Sequence, residues 1–368
     1  MVAERALSHL GEQRYPSEVA LTALEAKMVA LAAMRSYESC LDTATHLEGA
    51  TRRANNIFCL GPALDHIVFA LGGLKRHEEA VRRATSALDE LVALSEPDWA
   101  NELNILSNAA RALRNLARLG EVEAIGSKLL QCYVERADSV QTAKLVGTLL
   151  PLALEIGAFP WAVQLARQRL APSNFDHSLG HDPVEESVHL LAAITAAHAW
   201  PELAAQVTDT VWQAAANKFA GWDISRALMR LAEDSGEAVA FAAFNGLLLA
   251  LTAKFEEAEI APSPAGRVLG QVLSDSRLTK WPTGLLTDVA DAVTARLPGQ
   301  FDGEVHLLRE LAMFAASGRN PAMLARLDPD VAQMLISLDP TLRQAEPSPM
   351  VHGDTRRIRK GRWSVGRW

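Results

Sequence analysis

The chain is predicted to be all-α, a stack of helical hairpins (an α-solenoid) with an irregular helical C-terminal region, on three observations. Hydrophobic residues make up 49% of it and aromatics only 6%, with Ala and Leu dominating the apolar share. Both are strong helix formers, so the composition is that of packed helices and not of sheet. The stretch Asn104–Tyr133 reads as two helices folded back on each other around Leu119-Gly120-Glu121. Leu106, Ala109, Ala110, Leu113, Leu116 and Ala117 recur at intervals of three and four, and Val122, Ile125, Leu129 and Cys132 do so in the second helix. Gly120, free to take a positive φ, is expected to close the first of them. The third observation is that this pattern returns along the chain.

A helix, a short turn and a second helix opening on an aromatic, His or small residue appear at Arg35–Cys40, Lys75–Ala80, Gly120–Ala124, Gly157–Ala162 and His198–Leu203. The last residues of these motifs are 40, 44, 38 and 41 positions apart. A nearly constant period is the mark of stacked hairpins, each unable to bury its apolar face alone. Pro97 is placed at a helix start and Asp138 at an N-cap. The run Ala238–Ala253 is the most apolar, but at 16 residues with Asn245 and Gly246 inside it falls short of the about 20 needed to span a bilayer. It is expected to be a buried helix. Ala261-Pro262-Ser263-Pro264 marks the domain boundary, with shorter helices predicted at 265–274, 283–296, 302–316, 321–327 and 329–337. The organisation is therefore 1–260 solenoid, 261–338 irregular helical region, and 339–368 linker and basic tail.

Gly73-Leu74-Lys75-Arg76-His77-Glu78-Glu79-Ala80, followed by Ala87-Leu88, resembles the second half of a tetratricopeptide repeat. Ala80 and Ala87 match that family's small packing positions, and His77 stands where Tyr is usual. The resemblance covers about residues 17–255 and implies a right-handed α-α superhelix acting as a scaffold, not a chemistry. It departs from the family in its longer period and in lacking the closing proline of most units.

Charge and cysteine usage narrow the function. The net charge is −8, yet the tail from Arg356 carries six positives and no acid, which leaves −14 on residues 1–355. An acidic body argues against nucleic-acid binding by the folded part. Cys40, Cys59 and Cys132 are widely spaced without a CxxC, so they are expected to be small hydrophobes in a reducing compartment. The N-terminus, MVAERALSHLGEQRYP, is broken by charge and lacks a signal core, and the chain is expected to be cytoplasmic.

No HExxH, GxSxG or GxGxxG motif is present, and Gly120–Lys128 has the wrong spacing and context for a phosphate loop. No cofactor and no catalysis are expected. Asp176, His177, His181, Asp182, Glu185, Glu186 and His189 are the richest polar group and carry metal-ligand types, but a helix start with acids in its first turn accounts for them without a metal. Trp161, Trp200, Trp212, Trp222, Phe159, Phe175 and Phe219 gather in the middle third. Core packing is the expected reading of them, with a small-molecule site as the alternative.

Arg111, Arg114 and Arg118 are expected on one helix face, where three cations without intervening acids would suit an anionic protein or peptide. The tail residues Arg356, Arg357, Arg359, Lys360, Arg362, Trp363 and Trp368 add a second candidate contact, the only part suited to a nucleic acid or a membrane surface. The expected function is a protein-interaction scaffold. The alternative is a ligand-sensing regulatory protein using the middle-third aromatics.

Overall fold

The computed structural model describes residues 18–94, 97–136, 138–170, 183–215, 220–253 and 263–344. These residues form sixteen α-helices, with no strand among them. The first twelve run as pairs: α1 (Glu18–Ala33) and α2 (Tyr37–Ala54), α3 (Leu60–Gly73) and α4 (His77–Val92), α5 (Trp99–Asn115) and α6 (Val122–Glu135). They continue as α7 (Ser139–Glu155) and α8 (Phe159–Leu170), α9 (Pro183–Ala196) and α10 (Trp200–Ala215), α11 (Ala220–Ser235) and α12 (Glu237–Thr252). Then follow α13 (Pro264–Leu273), α14 (Thr283–Arg296), α15 (Asp302–Ala316) and α16 (Pro329–Leu338).

The first five pairs turn in the same way. Arg35, Lys75, Ala117, Gly157 and His198 adopt φ of 55, 61, 56, 70 and 55°. They lie 40, 42, 40 and 41 residues apart, a more even interval than the side-chain motifs gave. In each turn the next residue's N–H donates to a carbonyl five residues back: Ser36 to Leu31, Arg76 to Leu71, Arg118 to Leu113, Ala158 to Ala153 and Ala199 to Ile194, all at 2.9 Å. This bond caps the first helix and needs one residue in the left-handed region just before it.

At the Asn104–Tyr133 hairpin that residue is Ala117, not Gly120. Gly120 sits instead in a short 3-10 turn, Leu119–Glu121. Residue type favours the glycine, whereas the bond from Arg118 to Leu113 fixes the position by geometry. An L-residue in the left-handed region is strained by roughly 1–2 kcal/mol. Ala117 is exposed, so Ala117→Gly removes that strain without opening a cavity. The extra unfolded-state entropy of glycine takes back part of the gain, and a net stabilisation of about 0.5–1 kcal/mol is expected in urea denaturation.

Packing runs chiefly between neighbours through the first eight helices: α2 on α3, α4 on α5, α3 on α5, α7 on α8. The second half departs from this, because α9 packs most extensively on α12, three helices further on. Gly246 makes the approach possible: a Cβ there would stand 2.5 Å from Thr195 Oγ1 and 3.2 Å from Leu191 Cβ. The apolar run is thus the buried helix α12, with Ala243, Phe244, Leu248 and Leu251 fully enclosed. Among the described residues no helix is long and apolar enough to cross a membrane.

Beyond residue 263, α13 packs on α11, α14 on α12 and α15 on α14. One hydrophobic core extends from Leu21 to Leu335. Four of the five predicted C-terminal helices are α-helices within two residues of the expected bounds. The fifth, Pro321–Arg326, is a 3-10 turn opened by an Asn320 cap. The three cysteines are free; Cys40 is buried, whereas Cys59 and Cys132 are half-buried.

Candidate partner-binding face

Helix α5 begins at Asp98, whose carboxylate accepts from the Asn101 N–H at 3.4 Å. Its apolar stripe, Ile105, Leu106, Ala109, Ala110 and Leu113, is buried. Asn104, Ser107, Arg111, Arg114 and Asn115 occupy the exposed side. The helix ends at Asn115, so Arg118 is not on the same helical face as Arg111 and Arg114; it follows the left-handed turn.

The three arginines differ in what holds them. Arg114 donates Nε and Nη2 to the two carboxylate oxygens of Glu155 on α7, at 2.7 and 2.5 Å. Arg118 donates Nη1 to Glu78 on α4 at 2.7 Å and Nε to Glu121 at 2.5 Å. Both are therefore bound to carboxylates, in large part from neighbouring hairpins, and no longer present free positive charge.

Arg111 is exposed and donates Nη1 to Asn108 Oδ1 at 3.1 Å; no carboxylate meets it among the described residues. Asn108 in turn donates Nδ2 to Asp65 Oδ1 on α3 at 2.9 Å. Asp65 is 8% exposed. Burial pushes its carboxyl above the usual range, against the pull of nearby His66 and the hydrogen bonds from Asn108 and Asn104. The amide of Asn108 is thus held from both sides, and it anchors one N–H group of the exposed Arg111 guanidinium.

A second polar group lies on the buried side of the same helix. Glu102 on α5 is fully buried, and its two carboxylate oxygens find no hydrogen-bond partner. Arg136 Nη1 stands 3.7 Å from it. The Arg136 guanidinium lies 5.1 Å over the Trp99 ring and donates Nη2 to the Val92 carbonyl at 2.5 Å. Tyr133, edge-on to Trp99 at 4.4 Å, leaves its Oη without a full hydrogen bond. Burial raises the Glu102 carboxyl, opposed by the nearness of Tyr133 and Arg136. The signal was present: counted at three and four, Glu102 falls on the same stripe as Leu106, Ala109 and Leu113.

The remaining candidates resolve simply. Asp176, His177, His181 and Asp182 lie outside the described residues, as do Phe175 and Phe219, the Trp212 side chain, and the tail with Arg356, Arg357, Arg359, Lys360, Arg362, Trp363 and Trp368. Of the polar group that is described, Glu185 accepts from Arg230 at 3.3 Å and Glu186 is held by Arg169. No cluster of metal-ligating side chains occurs among the described residues. Trp161 is buried, Trp200 and Phe159 are half-buried, and Trp222 is 38% exposed. Searches of protein-family models and of curated proteins find no match to this chain.

Proposed function

We propose that the chain is a tetratricopeptide-like α-solenoid, a right-handed superhelix of hairpins over residues 1–260, with 261–338 as its irregular helical cap and 339–368 as a basic tail. It acts as a cytoplasmic interaction scaffold with no catalysis of its own. The partner is an anionic protein segment that meets the exposed side of α5. The observation that carries this reading is Arg111: exposed, oriented by the Asn108–Asp65 chain, and unlike Arg114 and Arg118 not neutralised by a carboxylate. Arg114 and Arg118 then serve as struts between hairpins.

The test uses a fluorescein-labelled peptide of alternating Glu and Ser, followed by anisotropy at low and high salt. Arg111→Glu is expected to weaken binding about tenfold, the worth of one charge-assisted hydrogen bond, and to leave Tm unchanged. Arg114→Glu is expected to cost about 1 kcal/mol of stability instead, since it sets a second carboxylate against Glu155. Equal binding by wild type and the Arg111 variant would remove the face from consideration.

A further inference from the structure

Helices α6 and α8 stand apart, with an open cleft of about 760 Å³ between them. Two other clefts compare poorly as ligand sites. The one between α4 and α6 holds only about 230 Å³. The one at Arg114 and Glu155 is lined by an ion pair and further exposed acids. The cleft between α6 and α8 has an apolar floor made by Leu130, Val134 and Trp161. Val134 is 46% exposed on the α6 side. Trp161 is 4% exposed, and its indole Nε1 finds no acceptor. Gly126 lets that indole lie close, since a Cβ there would come within 3.2 Å of the ring.

The rim is polar. Ser127, Gln131 and Gln164 line it with hydroxyl and primary amide groups. The two charged side chains at the cleft are of opposite sign, and of the two Arg167 has an ion-pair partner. Glu135 accepts from Gln131 at 2.9 Å, and Arg167 is paired with Glu202 on α10. An anionic ligand would find Arg167 already paired, whereas a neutral ligand that hydrogen-bonds to the rim groups keeps the cost of desolvating them low. The volume lies within the range of small-molecule sites, about 300–1,000 Å³, and an apolar floor with a few convergent polar groups is their usual make-up.

We infer that the cleft between α6 and α8 is a binding site for an uncharged, largely apolar small molecule carrying amide-like hydrogen-bonding groups. The site is independent of Arg111 and does not rest on the scaffold reading. Such a ligand bridges two successive hairpins and fixes the angle between them.

The experiment uses the full chain and Nile red, an uncharged dye whose emission shifts to the blue in apolar surroundings. Wild type should bind it saturably at one site. Val134→Arg and Gln164→Arg, at an exposed floor position and an exposed rim position, should each weaken binding at least tenfold while keeping the wild-type melting curve. Val19→Arg, at an exposed apolar residue on α1, should bind as wild type does. Absence of saturable binding, undiminished binding by whichever cleft variant stays folded, or an equal loss in the Val19 variant would overturn the assignment.

Discussion

Gly246→Leu is expected to cost more than about 3 kcal/mol and to shift or split the urea unfolding transition. The reason lies in the α9–α12 contact. The first atom added at Gly246 would already stand 2.5 Å from Thr195 Oγ1, which a rotamer change can move, and 3.2 Å from Leu191 Cβ, which it cannot. A leucine adds three more carbons into the same space, and α12 has no free side to retreat toward, since it also packs on α11, α10 and α14. Gly246→Ala is informative beside it. Alanine gains about 1 kcal/mol of helix propensity but meets the Thr195 hydroxyl, so it should be mildly destabilising on its own. Combined with Thr195→Ala it should recover most of the loss. A leucine variant within 1 kcal/mol of wild type would mean that α9 and α12 do not approach as closely as described.

Glu102→Gln is expected to stabilise the protein wherever Glu102 is ionised, since burial disfavours a charge that glutamine does not carry. Two effects oppose each other. Removing the carboxylate relieves a fully buried, poorly bonded charge, but it also takes away the partner of Arg136. The first wins because Arg136 is not left stranded: its side chain is 22% exposed, and it keeps both the Val92 carbonyl and the Trp99 ring.

The pH dependence gives the sharper check. The folded-state pKa of Glu102 is raised above its unfolded value. Its contribution to stability is therefore full below the unfolded pKa, near 4.3 for a glutamate, and is lost as pH rises through the folded value. Subtracting the variant's stability from that of wild type should give a curve that declines upward from about pH 4.5 and levels off once the folded pKa is passed. A difference curve that rises with pH would show that the pair with Arg136 outweighs the burial. Asp65 shifts in the same direction, but it is present in both proteins and cancels in the difference.

How far the sequence could be read varied with the kind of interaction involved. Apolar spacing located the hairpins and, beyond residue 263, the helix bounds, because burial follows period and period is visible in one dimension. The partners that Arg114 and Arg118 find on neighbouring hairpins were not visible, although Glu121, three residues from Arg118, was. They lie 41 residues ahead, at Glu155, and 40 behind, at Glu78, close to one hairpin away in each direction. Once the interval is known such pairs can be looked for, but which acid meets which arginine depends on side-chain direction. Glu102 could have been found, since a charge on an apolar stripe is a local inconsistency. The left-handed turn residue was misassigned because glycine preference is statistical, whereas the capping bond is positional. No reading of residue types would have shown that α6 and α8 stand apart.

The contact between α9 and α12 also bears on how the molecule yields under load. Helices α1 to α8 meet chiefly neighbours one or two positions away, so tension on the N-terminal side can detach them a hairpin at a time, each step releasing its own length against its own local resistance. Between α9 and α12 the chain doubles back and is clasped across two intervening helices, and nothing within that loop can lengthen until the clasp opens. The same polypeptide is therefore compliant at one end and has a mechanical latch near its middle, and Gly246 is the hinge-pin of that latch.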